Sequence, residues 1–372
     1  MNFDYSDEQR MLADGADRLG RDLWPAADRL KLQADFDAVV ARTWSHMAEL
    51  GWLMLPIAEA DGGLGGSAVD VMAVMEGIGR HLVPVPYVAT SVLVPALIGG
   101  SAAGRDLLAA IGEGRARAAA ALLEPDGGYD PMHVTLAAKA QGAGWRLAGE
   151  KLHVEDGGTA DHLIVSARAG DDVGLFIVAA DAPGLAIDRF RAIDQHRHAR
   201  VRLDGVEAMR VGEGDARAAI AAGVDRAICA HLAEAVGSMD EALRTTLDYL
   251  RTRKQFGVAI GTFQALQHRA VDMAIAVEEA RSMTYRATLS LDRPAAERRR
   301  IVSAAKARVG QCGLFVGRQA VQLHGGVGFS DELIVSHHLK RQMMLDCAHG
   351  AADHHLAAFA DIIARPAPRA AA

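Results

Sequence analysis

The order in which helical and strand-like patterns follow one another is the strongest constraint on the fold of this chain. Helical periodicity fills residues 1–115. Between Ala118 and Gly212 short apolar runs alternate with turn signals, and from Asp215 onward the helical period returns. Helices and strands segregated along a chain in this way predict an α+β protein with a helical domain, a β domain and a helical bundle, in that order.

The first helix is predicted from its capping signals. Ser6 and Gln9 have the spacing of a capping box, and Trp24-Pro25 ends the helix because proline restricts the residue before it. Further helical patterns cover Phe36–Leu50, Val69–His81 and Arg105–Glu113. We therefore expect an N-terminal all-helical domain over residues 1–115.

The middle of the chain contains four runs that predict strands. These are His133–Ala137, His162–Ser166, Leu175–Val178 and Ala199–Leu203. Turn signals stand between them at Asp126-Gly127-Gly128, Asp156-Gly157-Gly158, Asp181-Ala182-Pro183 and Asp204-Gly205. A strand roughly every 8–12 residues is typical of an antiparallel β-barrel or sandwich, which we place at residues 116–213.

The remaining residues predict long helices. One helix face is formed by Leu266, Ala270, Met273, Val277 and Ala280, and later helices cover Arg299–Leu323 and Val335–Ala364. Four long helices with short connections predict a four-helix bundle over residues 214–364. We expect His337 and His338 on a helix surface or at a subunit contact, and residues 365–372 as a flexible tail.

Composition excludes several classes of function. The chain has 40 Lys and Arg against 47 Asp and Glu, a net charge of −7, which disfavours non-specific nucleic-acid binding. Its 3 cysteines, Cys229, Cys312 and Cys347, are too few for a disulfide scaffold or a Cys₄ zinc site, and free thiols predict a cytoplasmic protein. The acidic N-terminus predicts no signal or transit peptide. The most apolar stretch, Tyr87–Ile98, is too short and interrupted to enter a membrane.

Three motifs together carry a resemblance to a known family. Asp61–Gly66 is a glycine-rich run before a helix that contains Glu76. Arg253–Gly257 is followed by Phe263-Gln264, and Gln322–Phe329 comes much later. This combination and the domain order resemble the acyl-CoA dehydrogenases over nearly the whole chain. A Rossmann reading of the glycine run is disfavoured because no predicted strand precedes it.

Within that family the chain resembles most closely the small subunits of pimeloyl-CoA dehydrogenases. The stretches that carry this finer resemblance are Tyr249–Asp272, Ser303–Gly326 and Asp353–Leu356. The resemblance implies an FAD cofactor that lies between barrel and bundle of one subunit and is reached by a neighbouring subunit. It therefore implies at least a dimer, and usually a tetramer.

The resemblance also implies which residues contact FAD. The positions that match are Arg253, Phe256, Gln264, Gln322, Gly325 and Gly326. Arg253 would bind the pyrophosphate of the neighbour's FAD, because its fork suits two phosphate oxygens. Gly325 and Gly326 would let the backbone approach the cofactor where a Cβ would block it. Taken alone, Arg253 is also compatible with a helix-end salt bridge, and Gly325-Gly326 with a helix C-cap.

Two barrel segments depart from the family pattern. Leu123 stands where the family often has threonine before the glutamate, here Glu124. The segment Glu150–Asp156 replaces one that usually holds tryptophan and threonine near the flavin ring. Glu155 beside a flavin that becomes anionic would be unfavourable unless its side chain turns away.

The catalytic base is the open question of the sequence. In the family a glutamate removes the substrate α-proton, and its commonest position falls here in Asp346–Ala351, at His349. A second family position lies at the start of the first bundle helix, where the nearest carboxylate is Asp225, next to Arg226. The alternatives are His349, Asp225, or no competent base in this subunit. The histidines near the C-terminus lack the spacing of known metal motifs, so we expect no metal site.

The sequence therefore predicts an FAD-dependent acyl-CoA dehydrogenase subunit. It would oxidise an acyl-CoA, dicarboxylyl or bulky in its acyl group, to the trans-2-enoyl-CoA and pass electrons to an electron-transfer flavoprotein. The expected assembly is a homodimer or tetramer, or a heterotetramer with a second dehydrogenase subunit. One alternative is a catalytically silent FAD-binding or structural subunit of a heteromer. Another is a flavin monooxygenase or oxidase on the same fold, which oxygen consumption would reveal.

Overall fold

The computed structural model describes residues 4–142 and 144–364, so the tail predicted at 365–372 lies outside the described residues. The described chain forms two compact units. The bundle unit contains the residues up to Leu30, the segment Met72–Leu82 and the chain from His231 onward. The barrel unit contains Lys31–Val71 and Val83–Ala230.

The first third of the chain is helical, as its periodicity predicted. Its helices are α1 (Asp7–Leu23), α2 (Phe36–Glu49), α3 (Ala68–His81), α4 (Val94–Ile98) and α5 (Arg105–Gly112). The predicted capping box is present, because the Ser6 hydroxyl accepts from the Gln9 backbone N–H at 3.2 Å and the Gln9 side chain accepts from the Ser6 N–H at 3.0 Å. A buried π-helical turn, Val88–Leu93, leads directly into α4.

The barrel is built from seven strands. They are β1 (Ala118–Ala121), β2 (Ala137–Gln141), β3 (Gly144–Val154), β4 (His162–Ala169), β5 (Asp172–Ala179), β6 (Leu185–Arg191) and β7 (Arg197–Val211). Pairing in the order β4–β2–β3–β7–β5 and back to β4 closes a ring, with β1 added on β4 and β6 on β7. The β1–β4 and β2–β4 pairings are parallel, which departs from the antiparallel prediction. Fully buried side chains such as Leu163, Val165 and Phe176 fill the core.

One strand prediction and one turn prediction in the barrel were wrong. The run His133–Ala137 is strand only from Ala137, because the backbone N–H groups of Thr135 and Leu136 donate to the Glu124 carboxylate instead of to a ladder. Asp204-Gly205 was expected to be a turn but lies inside β7. There the β3–β7 register shifts, and Gly205 takes a φ of +62°, as a bulge allows.

The C-terminal part contains five helices. They are α6 (Arg217–Thr252), α7 (Gln264–Thr288), α8 (Ala295–His324), α9 (Ile334–Cys347) and α10 (Ala352–Ala364). A small hairpin of β8 (Lys254–Gln255) and β9 (Val258–Ala259) follows α6. The helix predicted over Val335–Ala364 is two helices, because His349 and Gly350 have φ values of +55° and +112°.

The bundle interior contains paired polar side chains. Arg341 of α9 donates to both carboxylate oxygens of Glu234 in α6 at 2.6 and 2.7 Å. One helical turn away, His338 Nδ1 lies 2.9 Å from the Ser238 hydroxyl, and its ring is fully buried. The expectation of a helix surface for His337 and His338 was therefore wrong, because both side chains are buried and the Nε2 of His337 lies 2.8 Å from the Asp331 carbonyl oxygen. No helix in the described part of the chain has the length and apolar character that crossing a bilayer requires.

Candidate functional site

Arg253 and Phe256 lie at an exposed corner of the bundle unit, directly after α6. Arg253 immediately precedes the β8–β9 hairpin, and its carbonyl accepts from the Ile260 N–H at 2.8 Å. Phe256 and Gly257 form the two-residue hairpin loop with φ values of +54° and +81°, as a type I′ turn requires. Phe256 is consequently 92% exposed, with only the edge of Phe263 near its ring at 6.1 Å between centroids.

Gly325 and Gly326 lie at the end of α8, close to this corner. The rings of Tyr249 and His324 approach to 4.4 Å, which brings the end of α6 and the end of α8 together. Gly325 is the C-cap of α8 with a φ of +66°, so the C-cap alternative describes its backbone role correctly. A Cβ on Gly325 or Gly326 would nevertheless have no atom within 4 Å. These two glycines therefore expose bare backbone to open space.

The side chains at this corner suit a cofactor that is planar and carries phosphate groups. Gln264, at the start of α7, and Gln322, near the end of α8, are both exposed with their amides available beside the same motifs. Arg253 is exposed and suits two phosphate oxygens, while the open backbone at Gly325 leaves room for a ligand to approach. All six residues predicted to contact FAD thus lie in the bundle unit, and their contact with FAD stays a prediction.

The barrel unit departs from this fit at its own strand ends. The carbonyl of Leu123, two residues after β1, accepts from the Leu152 N–H at 2.8 Å. Its apolar side chain stands where the family often has threonine. Behind it, the buried Lys151 ammonium donates to Glu124 at 2.7 Å and contacts the Ser166 hydroxyl at 2.9 Å. Burial alone would raise the pKa of Glu124, but hydrogen bonds from Lys151 and Thr135 outweigh it and hold the pKa below its usual value.

The acidic residues Glu155 and Asp156 lie near two histidines of the barrel unit, His196 and His198. Asp156 has a φ of +52° and lies 3.4 Å from the ring of His196, and both side chains are buried. Burial lowers the pKa of His198, against the opposing effects of Glu155 and Asp156. Acidic side chains thus lie close to the segment where the family holds the flavin ring, and negative charge there would disfavour a flavin that becomes anionic.

His349 occupies a strained turn of the bundle unit between α9 and α10. Its φ of +55° is left-handed, a region that few residues other than glycine adopt. Its ring is half-buried and stacks on the ring of His231 in α6, with centroids 5.5 Å apart and planes 28° from parallel. Strained residues that present a polar side chain in this way cluster at active sites.

His349 and Arg253 lie beside different parts of α6. His231, which stacks on His349, lies 22 residues before Arg253, the residue that directly follows α6, and this is about 33 Å at the usual helical rise. The bundle unit therefore presents a candidate proton acceptor near the middle of α6 and the cofactor motifs at its C-terminal end.

Asp225 lies in the barrel unit, eight residues after the first residue of α6 and not at its start. Its side chain is fully buried. Sequence reasoning missed His231, since a histidine inside a long helix gives no local signal of its partner. It used His355 in the stretch Asp353–Leu356 and among the C-terminal histidines, but assigned it no contact with His349, six residues earlier.

Comparison with known proteins covers all three parts of the chain. The N-terminal, middle and C-terminal domain models of the acyl-CoA dehydrogenases match residues 6–110, 119–206 and 217–364. The Bacillus subtilis protein named probable acyl-CoA dehydrogenase YngJ is 27% identical over 378 residues, which span 95% of this chain and 97% of that protein.

Solved structures show the same fold. A Tcur3481–Tcur3483 steroid ACAD variant superposes with a TM-score of 0.88 at 32% identity, over 96% of this chain and 98% of that chain. The ChsE4–ChsE5 complex from Mycobacterium tuberculosis gives a TM-score of 0.88 at 24% identity, over 99% and 100% of the two chains. With three consecutive domain models matched and the fold shared along its length, this chain belongs to the acyl-CoA dehydrogenase family.

Proposed function

We propose that this chain is an FAD-dependent acyl-CoA dehydrogenase subunit. It oxidises an acyl-CoA with a dicarboxylyl or bulky acyl group to the trans-2-enoyl-CoA, and an electron-transfer flavoprotein receives the electrons. FAD, when bound, supplies the two-electron acceptor. Similar folds solved with FAD and the finer resemblance to pimeloyl-CoA dehydrogenase small subunits support the proposal.

The observation that carries the proposal is the corner formed by Arg253, Phe256, Gly325 and Gly326. An exposed arginine, an aromatic ring that is 92% exposed and two glycines whose Cβ positions would face open space together form a surface that leaves room for a further molecule. They match a cofactor that a neighbouring subunit holds and this subunit covers. Gln264 and Gln322 border the same corner and add amide donors and acceptors.

His349 is the residue we assign as proton acceptor. The substrate Cα–H bond breaks, its electron pair stays on the carbon as the thioester enolate, and the proton moves to the imidazole. Asp225 is the second candidate, since it is a fully buried carboxylate in the first part of α6, near the second position that the family resemblance implies. His349 is preferred because its strained backbone presents the ring at the family position.

Anaerobic flavin bleaching by octanoyl-CoA and pimeloyl-CoA tests this function. The wild-type chain should retain FAD and bleach. Arg253→Lys should lose FAD, because lysine cannot make the two parallel phosphate contacts. The matched control is Arg251→Lys, an exposed arginine two residues earlier that pairs with Asp248 at 3.3 Å. A wild-type chain that binds no flavin even with FAD added would contradict the proposal.

Variants of the two candidate bases identify the proton acceptor. His349→Ala should keep FAD and bleach about 10²–10⁴-fold more slowly, the usual cost of losing a positioned base. Asp225→Asn should bleach at close to the wild-type rate. The reverse pattern would assign the base to Asp225 and remove His349 from the mechanism.

A second candidate function rests on the barrel. Leu123, Glu155 and Asp156 make that strand end apolar and acidic where the family contacts the flavin. They favour a catalytically silent subunit that completes the site of a partner dehydrogenase. Flavin that stays oxidised with every acyl-CoA in the chain alone, and bleaches only after a second dehydrogenase subunit is added, would establish this function.

Assembly and location complete the proposal. Phe256 and Phe329 are 92% and 80% exposed, and large aromatic rings left in water indicate a surface that another subunit covers. We infer a homodimer or tetramer, or a heterotetramer with a second dehydrogenase subunit. The free thiols of Cys229, Cys312 and Cys347 support a cytoplasmic location. Phe256→Asp should lower the mass measured by light scattering, and an unchanged mass would argue against this contact.

A further inference from the structure

The turn between α9 and α10 is fixed by polar contacts from α8 and α10. His349, at its centre, has a φ of +55°, and Gly350 follows with +112°. A left-handed residue other than glycine costs free energy, so it persists only where its surroundings determine the backbone. The contacts around this turn therefore decide where the His349 imidazole points.

His355 of α10 makes the central contact. Its ring is fully buried, its Nε2 lies 3.0 Å from the His349 carbonyl oxygen, and its Nδ1 lies 3.3 Å from the Ser303 hydroxyl. A carbonyl only accepts, so Nε2 carries the proton and Nδ1 accepts from Ser303. Burial lowers the pKa of His355 to about 3, which keeps the ring neutral with one donor and one acceptor.

Two further residues support this contact. Gly350 leaves space beside the turn, and Lys306 binds the last carbonyls of α9. A Cβ on Gly350 would lie 2.6 Å from the His354 ring and 3.0 Å from the His355 Nε2, so glycine leaves room for both rings beside the turn. Lys306 of α8 is buried and donates to the carbonyls of Leu345 and Asp346 at 2.8 Å each. The last turn of α9 is thereby held in place immediately before His349.

We propose that His355 is a positioning residue for His349. Its Nε2–H bond to the His349 carbonyl holds the left-handed backbone from which the imidazole accepts the substrate α-proton. The stacked ring of His231 limits the other side of that imidazole. This inference rests on the proposed function, in which the Cα–H bond breaks, the electron pair stays on carbon and the proton goes to His349.

Three variants separate positioning from stability. His355→Leu removes both ring contacts at similar size. His355→Gln returns an N–H close to the place of Nε2. His338→Leu is the matched control, because His338 is also fully buried, has its pKa lowered to about 3 by burial, and pairs with a serine hydroxyl, yet its partner Ser238 belongs to α6 and not to the turn.

The test is exchange of the α-hydrogens of 3-thia-octanoyl-CoA with D₂O, followed by mass spectrometry on the assembled, FAD-loaded protein. Sulfur at the β position prevents oxidation, so only proton transfer is measured. His349→Ala should slow exchange about 10²–10⁴-fold. At equal folded fraction, His355→Leu should slow exchange about tenfold or more relative to His338→Leu, and His355→Gln should restore most of the rate.

A second readout is independent of catalysis. The imidazole ¹H–¹⁵N signals of His349 should move in His355→Leu and stay in place in His338→Leu. If His355→Leu does not fold, Ser303→Ala, which removes only the hydroxyl that holds the His355 ring, takes its place in both measurements.

The outcomes separate this inference from the function on which it rests. Equal exchange rates and unmoved His349 signals in the two leucine variants would overturn the role of His355. Normal FAD binding without any α-exchange would overturn His349 as proton acceptor, and with it the positioning role. Absence of bound FAD, read from the visible spectrum, would instead count against the proposed function.

Discussion

Gly79 of α3 lies directly against the backbone of Glu234 in α6, and a Cβ on this glycine would stand 1.9 Å from the Glu234 carbonyl oxygen. The contact is reciprocal, because a Cβ on Gly237 of α6 would stand 1.9 Å from the carbonyl oxygen of Glu76 in α3. Two helices of the bundle unit therefore cross with their backbones in contact. The buried Glu234–Arg341 pair is positioned beside this crossing.

Gly79→Ala is expected to destabilise the chain by about 1–3 kcal/mol or more, because the added methyl group meets backbone that cannot swing aside. Urea unfolding of the purified variant measures the loss. Gly144→Ala is the control, since the nearest atom to its Cβ would be 4.0 Å away and its backbone is not left-handed. Equal stability of the two variants would show that α3 and α6 separate without cost.

Gly326→Ala is expected to behave in the opposite way. Its Cβ would meet nothing within 4 Å and its φ is not positive, so the unfolding temperature should stay that of the wild type. Its affinity for FAD should fall about tenfold or more, since a methyl group enters the space through which the cofactor approaches. Calorimetry and the flavin retained after gel filtration measure the two effects. Undiminished retention of FAD would remove Gly326 from the cofactor site.

Lys151→Met tests the buried charge pair of the barrel. Removal of the ammonium leaves the Glu124 carboxylate buried with only Thr135 and Leu136 as donors, and such a loss typically costs about 3–5 kcal/mol. Lys139→Met, an exposed lysine on β2, should change stability by less than about 0.5 kcal/mol. The denaturant midpoints of both variants measure these changes in stability. A Lys151→Met chain as stable as the control would mean that Glu124 becomes protonated without penalty.

His338→Gln tests the pH dependence of folding. Burial lowers the pKa of His338 from 6.5 to about 3, so between these values the unfolded chain binds a proton that the folded chain does not. Stability therefore falls as the pH falls from 6.5 towards 3. Between pH 7 and pH 5 the variant should lose about 1–2 kcal/mol less than the wild type in urea unfolding. The same loss in both proteins would show that His338 is protonated in the folded state.

Sequence patterns predicted the features whose causes are local. The capping box of Ser6 and Gln9, the helix ends and most strands follow from residues a few positions apart. The errors arose from partners far along the chain. Nothing near Thr135 indicates that Glu124 takes its backbone donor, and the alternation of residues there resembles a strand. The buried state of His338 likewise depends on Ser238 in another helix.

The residues of the candidate site also fall into two groups, those indicated by local sequence motifs and those brought together only by packing. The proposed cofactor residues come from sequence alone, because Arg253 and Gly325-Gly326 lie within recognisable motifs, and their role stays a prediction. His349 could be placed by alignment with the family, but its contacts could not. His231 and His355 reach it only through the packing of α6 and α10, which periodicity does not specify.

The length of α6 has a genetic consequence. Because about 33 Å separates His231, which stacks on the proposed proton acceptor His349, from Arg253 after the end of α6, each subunit would on this proposal lend its arginine to one catalytic centre and its histidine to another. Two alleles, one altered at Arg253 and one at His349, would then each be inactive alone. Expressed in one cell they would complement each other. A mixed assembly contains some centres that receive an intact Arg253 from one subunit and an intact His349 from the other.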